Sequence, residues 1–351
     1  MTVISAPEDF NTDDLYVDLT GVLGLSLYLK CEGFNFAGSV KLKAALGMVT
    51  DAERRGLLRR GSVLVESSSG NLGVALAMIA ASRGYRFVCV TDPRCNPATH
   101  RLMEALGAEV RVVDTPDAAG GFLATRIALV RSLVAGDDRY VWLNQYANPE
   151  NQGSHLVTTG PEIEAAFPQL DVVFVGAGTT GTLMGCARYF RSRPRPVRVV
   201  AVDAAGSVTF GDRPTPRMIP GLGTSVRPEA LDESYIDDVV HVAEPDTLEA
   251  CHALARRGFL FGGSTGTVVA GAADWLRRHG DATTTAVALA PDLGERYLDT
   301  VYRPSWLAEH FGPEAAAGMP QPREATITEV TPAGVVTEIL PGGPALVAGS
   351  R

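Results

Sequence analysis

Five short segments carry residue types that could do chemistry. GAGTTGT, Gly176 to Thr182, follows an apolar run and opens a helical pattern. Backbone N–H groups at a helix start, with glycines allowing close approach, cradle an anion. The two glycine-flanked threonines, Thr179 and Thr180, add hydroxyl donors, so a phosphate is the expected guest. The same stretch satisfies GxGxxG through Gly176, Gly178 and Gly181, and Asp203 lies where a dinucleotide site needs its acid. By itself the motif leaves open a dinucleotide, a monophosphate cofactor and a glycine-rich turn with no ligand.

GSVKLK, Gly38 to Lys43, places Lys41 at the start of a helical pattern. The positive end of a helix dipole disfavours the charged amine, and a partly neutral lysine is what Schiff-base chemistry needs. Taken alone, such a lysine is more often a solvated surface residue. The chain, however, holds only Lys30, Lys41 and Lys43, so an amine has few places to act. ESSSGNLG, Glu66 to Gly73, sets hydroxyls, a glycine and Asn71 at a strand end that opens a helix. That arrangement suits a carboxylate, or equally an ordinary N-cap cluster. GGSTGT, Gly262 to Thr267, is another loop-to-helix junction that a capped helix would explain, and APDLGERY, Ala290 to Tyr297, puts Pro291-Asp292 at a strand end. The histidines and cysteines show no metal-ligand spacing, no GxSxG elbow is present, and no metal is expected.

The elements that must position these segments alternate. Apolar, β-branched runs at 62–66, 86–91, 109–113, 171–175, 197–203, 239–243 and 285–290 read as strands. Helical patterns fill 40–57, 70–84, 96–106, 120–135, 158–167, 181–194, 246–257 and 266–279. Apolar strands alternating with helices predict parallel sheets covered on both faces, hence two doubly wound α/β units. One has three strands before about residue 115 and the other four after about residue 170. Polar, turn-rich YANPENQGSH at 146–155 reads as the crossover between them, and 312–351 as an appended tail or arm with one β-like stretch.

A net charge of −9 argues against nucleic acid or an anionic membrane as partner. Five dispersed cysteines fit no disulfide framework and read as core filler in a reducing, cytoplasmic setting. The acidic start lacks the pattern of a signal peptide, and no apolar run approaches a membrane span.

Taken together and in this order, the segments resemble the fold-type II pyridoxal-phosphate enzymes, which include cysteine synthase and cystathionine β-synthase. The resemblance runs from about Leu29 to Tyr302. It implies two doubly wound parallel-sheet domains, as in the tryptophan synthase β fold, with pyridoxal 5′-phosphate in the cleft between them. Residues 12–36 plus 148–311 would form the larger cofactor-binding domain and 37–147 the smaller mobile one. A homodimer acting on small amino acids is the family expectation. Position by position, Lys41 would carry the Schiff base and Asn71 would bond the ring hydroxyl. Gly178, Thr179, Thr180, Gly181 and Thr182 would hold the phosphate, and Ser264 would face the pyridine nitrogen. Ser68, Ser69, Gly70 and Gln145 would take the substrate carboxylate. The usual loop is GTGGT, so Thr180 replaces a glycine and is expected to approach without a positive φ. A serine opposite the ring nitrogen cannot keep it protonated as an acid would, which favours elimination and replacement at Cβ over transamination.

The chain departs from ordinary cysteine synthases. It has NFAGS for NPGGS and SSGNL, with Leu72, for TSGNT; Lys43 stands where arginine is common. SSSGNLG is similar to the branch that joins O-phosphoserine to glutamate, giving precursors of 2,3-diaminopropionate for siderophores and peptide antibiotics. A phosphorylated donor would want a further cation, for which Arg217 is the candidate, with Thr224 and Ser225 beside it. The expected reaction is β-replacement on O-phosphoserine or O-acetylserine through an aminoacrylate, with Lys41 moving the α-proton. The alternatives are cysteine synthesis with sulfide, an NAD-dependent oxidoreductase using Gly176–Gly181 and Asp203, and a non-catalytic relative, against which intact Lys41, Asn71 and Ser264 argue.

Overall fold

The computed structural model describes residues 3–116 and 121–320, together with two paired strands at 327–330 and 336–339. In chain order the elements are β1 (Tyr16–Asp18), α1 (Thr20–Leu23), β2 (Leu27–Cys31), α2 (Lys41–Arg54), β3 (Val63–Ser67), α3 (Asn71–Arg83), β4 (Arg86–Thr91), α4 (Pro97–Ala105), β5 (Glu109–Val112), α5 (Leu123–Gly136), β6 (Tyr140–Trp142), α6 (Pro149–Val157) and α7 (Thr159–Ala166). They continue with β7 (Val172–Gly176), α8 (Gly181–Arg191), β8 (Arg198–Ala204), β9 (Asp238–Val242), α9 (Glu244–Ala255), α10 (Gly263–His279), β10 (Ala286–Ala290), α11 (Pro304–Phe311), β11 (Ile327–Val330) and β12 (Val336–Ile339).

The strands form two main sheets. A six-stranded sheet has the order β1-β2-β10-β7-β8-β9, parallel except for β1 at its edge. A four-stranded parallel sheet has the order β5-β4-β3-β6. Both are buried on two faces. In β7, Val172 and Phe174 enter one apolar cluster while Val173 and Val175 enter another. In β3, Leu64 packs to one side and Val63 and Val65 to the other. Successive side chains of a strand point to opposite faces, so continuous apolar runs require helices on both. This is the two-sheet α/β architecture that the alternating pattern predicts.

The larger sheet holds two strands that the pattern missed. β1 is short, and β2 carries Lys30 inside LYLKC, which interrupts the apolar signal. The smaller sheet gains β6, three residues long. The expected crossover at 146–155 is largely helical: Asn148 caps α6 by accepting from Glu150 N, and Pro149 occupies the first turn. Asn-Pro here is a helix start, where the missing N–H of proline costs nothing. α10 begins at Gly263, earlier than expected, which brings Ser264 into its first turn.

All five cysteines are buried. Residues 313–316 form a short 3₁₀ turn, and Ala315, Ala316 and Met319 pack against a cluster containing Leu307 and Tyr297. The start of the expected tail therefore belongs to the folded body. β11 and β12 pair antiparallel in the stretch read as β-like, and the rest of the tail lies outside the described residues. Among the described residues no helix is long and apolar enough to cross a membrane.

Candidate active site

A cleft of about 310 Å³ opens where strands of both sheets end, and every residue nominated for the pyridoxal-phosphate site and its substrate lines it. Ligands of open α/β sheets bind at such carboxyl ends. Lys41 is the first residue of α2. Burial pulls its amine down to about 8, against the opposing pull of the Asp292 carboxylate. Lys30 and Lys43 are spoken for elsewhere. Both are buried and share the carboxylates of Glu32 and Glu162, with Lys43 at 3.0 and 2.6 Å and Lys30 at 3.3 and 2.9 Å.

At the end of β3 the Ser68 hydroxyl accepts from the N–H of Gly73 at 3.0 Å and of Gly70 at 3.3 Å, bending the chain into α3. Asn71 opens that helix. Its Oδ1 accepts from the Arg296 guanidinium, and its Nδ2 donates to Asp292 Oδ2 at 3.3 Å. Gln145 reaches the same loop, with Nε2 donating to Ser67 O at 2.8 Å and its own N–H to Glu66 at 3.2 Å. Glu66 is fully buried, and burial raises its carboxyl to about 7.

The glycine-threonine loop follows β7. Thr180 has φ 65° and ψ 2°, contrary to the expectation of a negative φ. The loop needs a left-handed residue just before α8 to aim its N–H groups into the cleft. A β-branched residue in that conformation is strained by roughly 1–2 kcal/mol. Its hydroxyl is buried without a partner. Gly181 admits no Cβ, which would stand 2.1 Å from Asn151 Oδ1. Asn151 Nδ2 in turn donates to Gln145 O at 2.7 Å and to Thr179 Oγ1 at 3.2 Å, joining the carboxylate and phosphate loops.

A buried chain of hydrogen bonds runs behind the loop. Lys43 Nζ donates to Thr159 Oγ1 at 3.2 Å, Thr159 meets His155 Nδ1 at 2.9 Å, and His155 Nε2 meets Thr182 Oγ1 at 3.1 Å. Burial and the nearby lysines push His155 well below its usual range, so it is neutral. A neutral imidazole carries one N–H, so His155 donates to one of these two threonines and accepts from the other. The anion cradle is thus tied to the charged cluster through buried hydrogen bonds.

These residues fit a phosphorylated pyridine aldehyde. The donor set of Thr180, Thr182 and the helix N-terminus suits a phosphate, and Lys41 supplies an amine of depressed basicity. Asp203 fits the dinucleotide alternative poorly. It is fully buried, its Oδ1 accepts from Ala204 N at 2.9 Å, and it does not line the cleft.

The cleft also contains residues that sequence reading did not nominate: Arg94, Arg126, Tyr146, Arg296 and Tyr297. Arg296 and Tyr297 lie in APDLGERY, whose strand-end position was the available signal. Tyr146 opens the segment read as the crossover, and Arg126 carries no motif. Arg126 sits in α5 beside Asp92 at 3.3 Å, and only the packing of α5 brings it to the cleft.

Comparison with known proteins agrees with the geometry. Residues 16–292 match the family described as pyridoxal-phosphate dependent enzymes. The chain is 43% identical over 284 residues to N-(2-amino-2-carboxyethyl)-L-glutamate synthase of Ralstonia nicotianae, covering 80% of this chain and 84% of that protein. The crystal structure of O-ureido-L-serine synthase superposes with a TM-score of 0.77 at 34% identity, over 88% of this chain and 96% of that one. The O-acetylserine dependent cystathionine β-synthase of Helicobacter pylori does so with a TM-score of 0.78 at 25% identity, over 86% of this chain and 100% of that one. A cleft with one free-standing lysine, a phosphate cradle and a hydroxyl at the start of α10, matched by family over most of the chain, makes this protein a member of the fold-type II pyridoxal-phosphate dependent enzymes.

Proposed function

We propose that this enzyme replaces the phosphate of O-phosphoserine with the amino group of glutamate, making a precursor of 2,3-diaminopropionate. The carrying observation is that Lys41, the Ser68–Asn71 loop, the 178–182 loop, Ser264 and four arginines share one cleft. The similarity to a synthase named for N-(2-amino-2-carboxyethyl)-L-glutamate supports the same nucleophile.

Pyridoxal 5′-phosphate, when bound, supplies an electrophilic aldehyde and an electron-withdrawing ring. In this reading Lys41 would hold it covalently and, once its amine is free, would remove the substrate's α-proton and later return it. Asn71 would donate from Nδ2 to the ring hydroxyl. Thr179, Thr180 and Thr182, with the N–H groups of Gly178 and Gly181, take the cofactor phosphate. Ser68, Ser69, Gly70 and Gln145 take the substrate carboxylate. Arg217 from the larger sheet and Arg126 from the smaller offer cations to the leaving phosphate and to the glutamate carboxylates. Residues 37–147, built around the smaller sheet, would act as the mobile domain, closing on 12–36 plus 148–311 to exclude water. A cytoplasmic homodimer is the expected form, and the exposed aromatic rings of Phe10, Phe34 and Phe36 offer it an apolar face.

The test is product identity. Purified enzyme loaded with cofactor is given O-phosphoserine, then glutamate or sulfide, and products are read by mass spectrometry. The glutamate adduct should form at least tenfold faster than cysteine. Cysteine as the main product would overturn the reading in favour of a cysteine synthase.

A further inference from the structure

Glu66 is a buried acid in the smaller sheet that the proposed reaction leaves without a role. It stands near the end of β3, among residues that are buried throughout, and is itself 0% exposed. A carboxylate there is costly unless donors satisfy it. Three N–H groups do. Oε1 accepts from Ser67 N at 2.8 Å and from the Trp142 indole at 3.0 Å, and Oε2 accepts from Gln145 N at 3.2 Å.

The donors come from two chains that leave the sheet side by side. β3 and β6 are neighbours, with Val65 paired to Trp142. One chain continues into Ser68, Ser69 and Gly70, the other into Gln145. Asn144 turns the second chain with a φ of 56°, a left-handed value that asparagine tolerates better than most residues. Beyond that turn the Gln145 N–H meets Glu66, while Gln145 Nε2 donates to Ser67 O at 2.8 Å. The two loops are therefore joined twice, once directly and once through the acid. Only a carboxylate accepts on both oxygens. An amide of the same shape would set its NH₂ against at least one of the three donors.

We propose that Glu66 is a positioning residue for the substrate carboxylate, holding Ser68–Gly70 and Gln145 at one fixed separation so that both bind the same group. This rests on the reading that gives those residues the carboxylate. The cofactor contacts have other supports. Lys41 begins α2, the phosphate loop follows β7, and Asn71 is held by Arg296 and Asp292. Glu66 therefore bears on the substrate and leaves the cofactor seated. Burial raises its carboxyl to about 7, so it is largely ionised at pH 8.

The test compares two ligands that differ by that carboxylate alone. Cofactor-loaded enzyme is assayed at pH 8 with O-phosphoserine and glutamate, and O-phosphoethanolamine is added as a competing ligand. Glu66→Gln should raise KM for O-phosphoserine about tenfold or more, the effect of losing hydrogen bonds to a charged group. Its kcat should stay within about threefold of wild type, and the inhibition constant of O-phosphoethanolamine within about twofold, because neither depends on uniform binding of the carboxylate. Glu66→Asp keeps the charge but is one methylene shorter, so it cannot reach both loops. It should show the same split, and it carries the test where Glu66→Gln does not fold. A merely structural role would weaken both ligands alike. Wild type that prefers O-phosphoserine, with a folded variant weakened equally for both ligands or unchanged in KM, overturns the role of Glu66 alone. Wild type that binds the two ligands equally well overturns the carboxylate reading of the loops.

Discussion

Asn71 and Arg296, 225 residues apart in sequence, meet at the floor of the cleft, where the guanidinium donates to the asparagine Oδ1. The contact fixes which end of the amide is which. A cation holds the oxygen, so the Nδ2 protons face Asp292 and the cleft. Arg296 also donates to the Ala37 carbonyl, so one side chain joins the larger sheet, the Lys41 segment and α3.

Arg296→Met should therefore weaken cofactor binding without touching the cofactor. A hydrogen bond to a charged group contributes about 1.5–3 kcal/mol. Losing the one that orients Asn71 should raise the dissociation constant of pyridoxal 5′-phosphate about tenfold or more, as measured by fluorescence titration of apoprotein.

Lys41 with a pKa of about 8 predicts a pH profile for cofactor attachment. Attack on an aldehyde needs the neutral amine, and the depressed value makes that form available roughly two to three pH units lower than for an ordinary lysine. The rate at which apoprotein acquires the cofactor absorption band should rise through about pH 8 and level off above about pH 9. Lys41→Ala should abolish borohydride fixation, because Lys30 and Lys43 are held by Glu32 and Glu162. Fixation on another lysine in that variant would contradict the assignment.

Thr180 separates stability from binding. Thr180→Gly relieves the left-handed backbone but removes a buried, unpartnered hydroxyl that the proposed phosphate would satisfy, whereas Thr180→Ala removes the hydroxyl and keeps the strain. Apoprotein of the glycine variant should be more stable than the alanine variant by about 1 kcal/mol in denaturant melts. Both should bind the cofactor less tightly than wild type.

Lys43→Met leaves Glu32 and Glu162 with only Lys30 for balance. Breaking a buried ion pair from one side costs about 3–5 kcal/mol. The variant should melt well below wild type, with little change between low and high salt, because the cluster is buried. It should also loosen phosphate affinity, since Lys43 anchors the hydrogen-bonded line through Thr159 and His155 that holds Thr182 in place.

The alternation of apolar runs and helical patterns determined the two-sheet architecture, because a strand buried on both faces must be apolar throughout. Motifs at strand ends determined which loops would hold a ligand, because helix starts, glycines and hydroxyls carry their chemistry locally. Lys41 was legible only by its company and by the near absence of other lysines. What packing alone decided is the rest. β2 is the second strand in the chain yet pairs with β10 near its end. Arg126 faces the cleft because α5 lies against β3 and β4, and no local pattern encodes that. Thr180 adopts a conformation that its side chain disfavours, because the loop between β7 and α8 demands it. Asp292 looked like a strand-end residue. Its hydrogen bonds to Asn71 and Thr265 exist only because β10, α3 and α10 converge, and a single sequence does not record such distances.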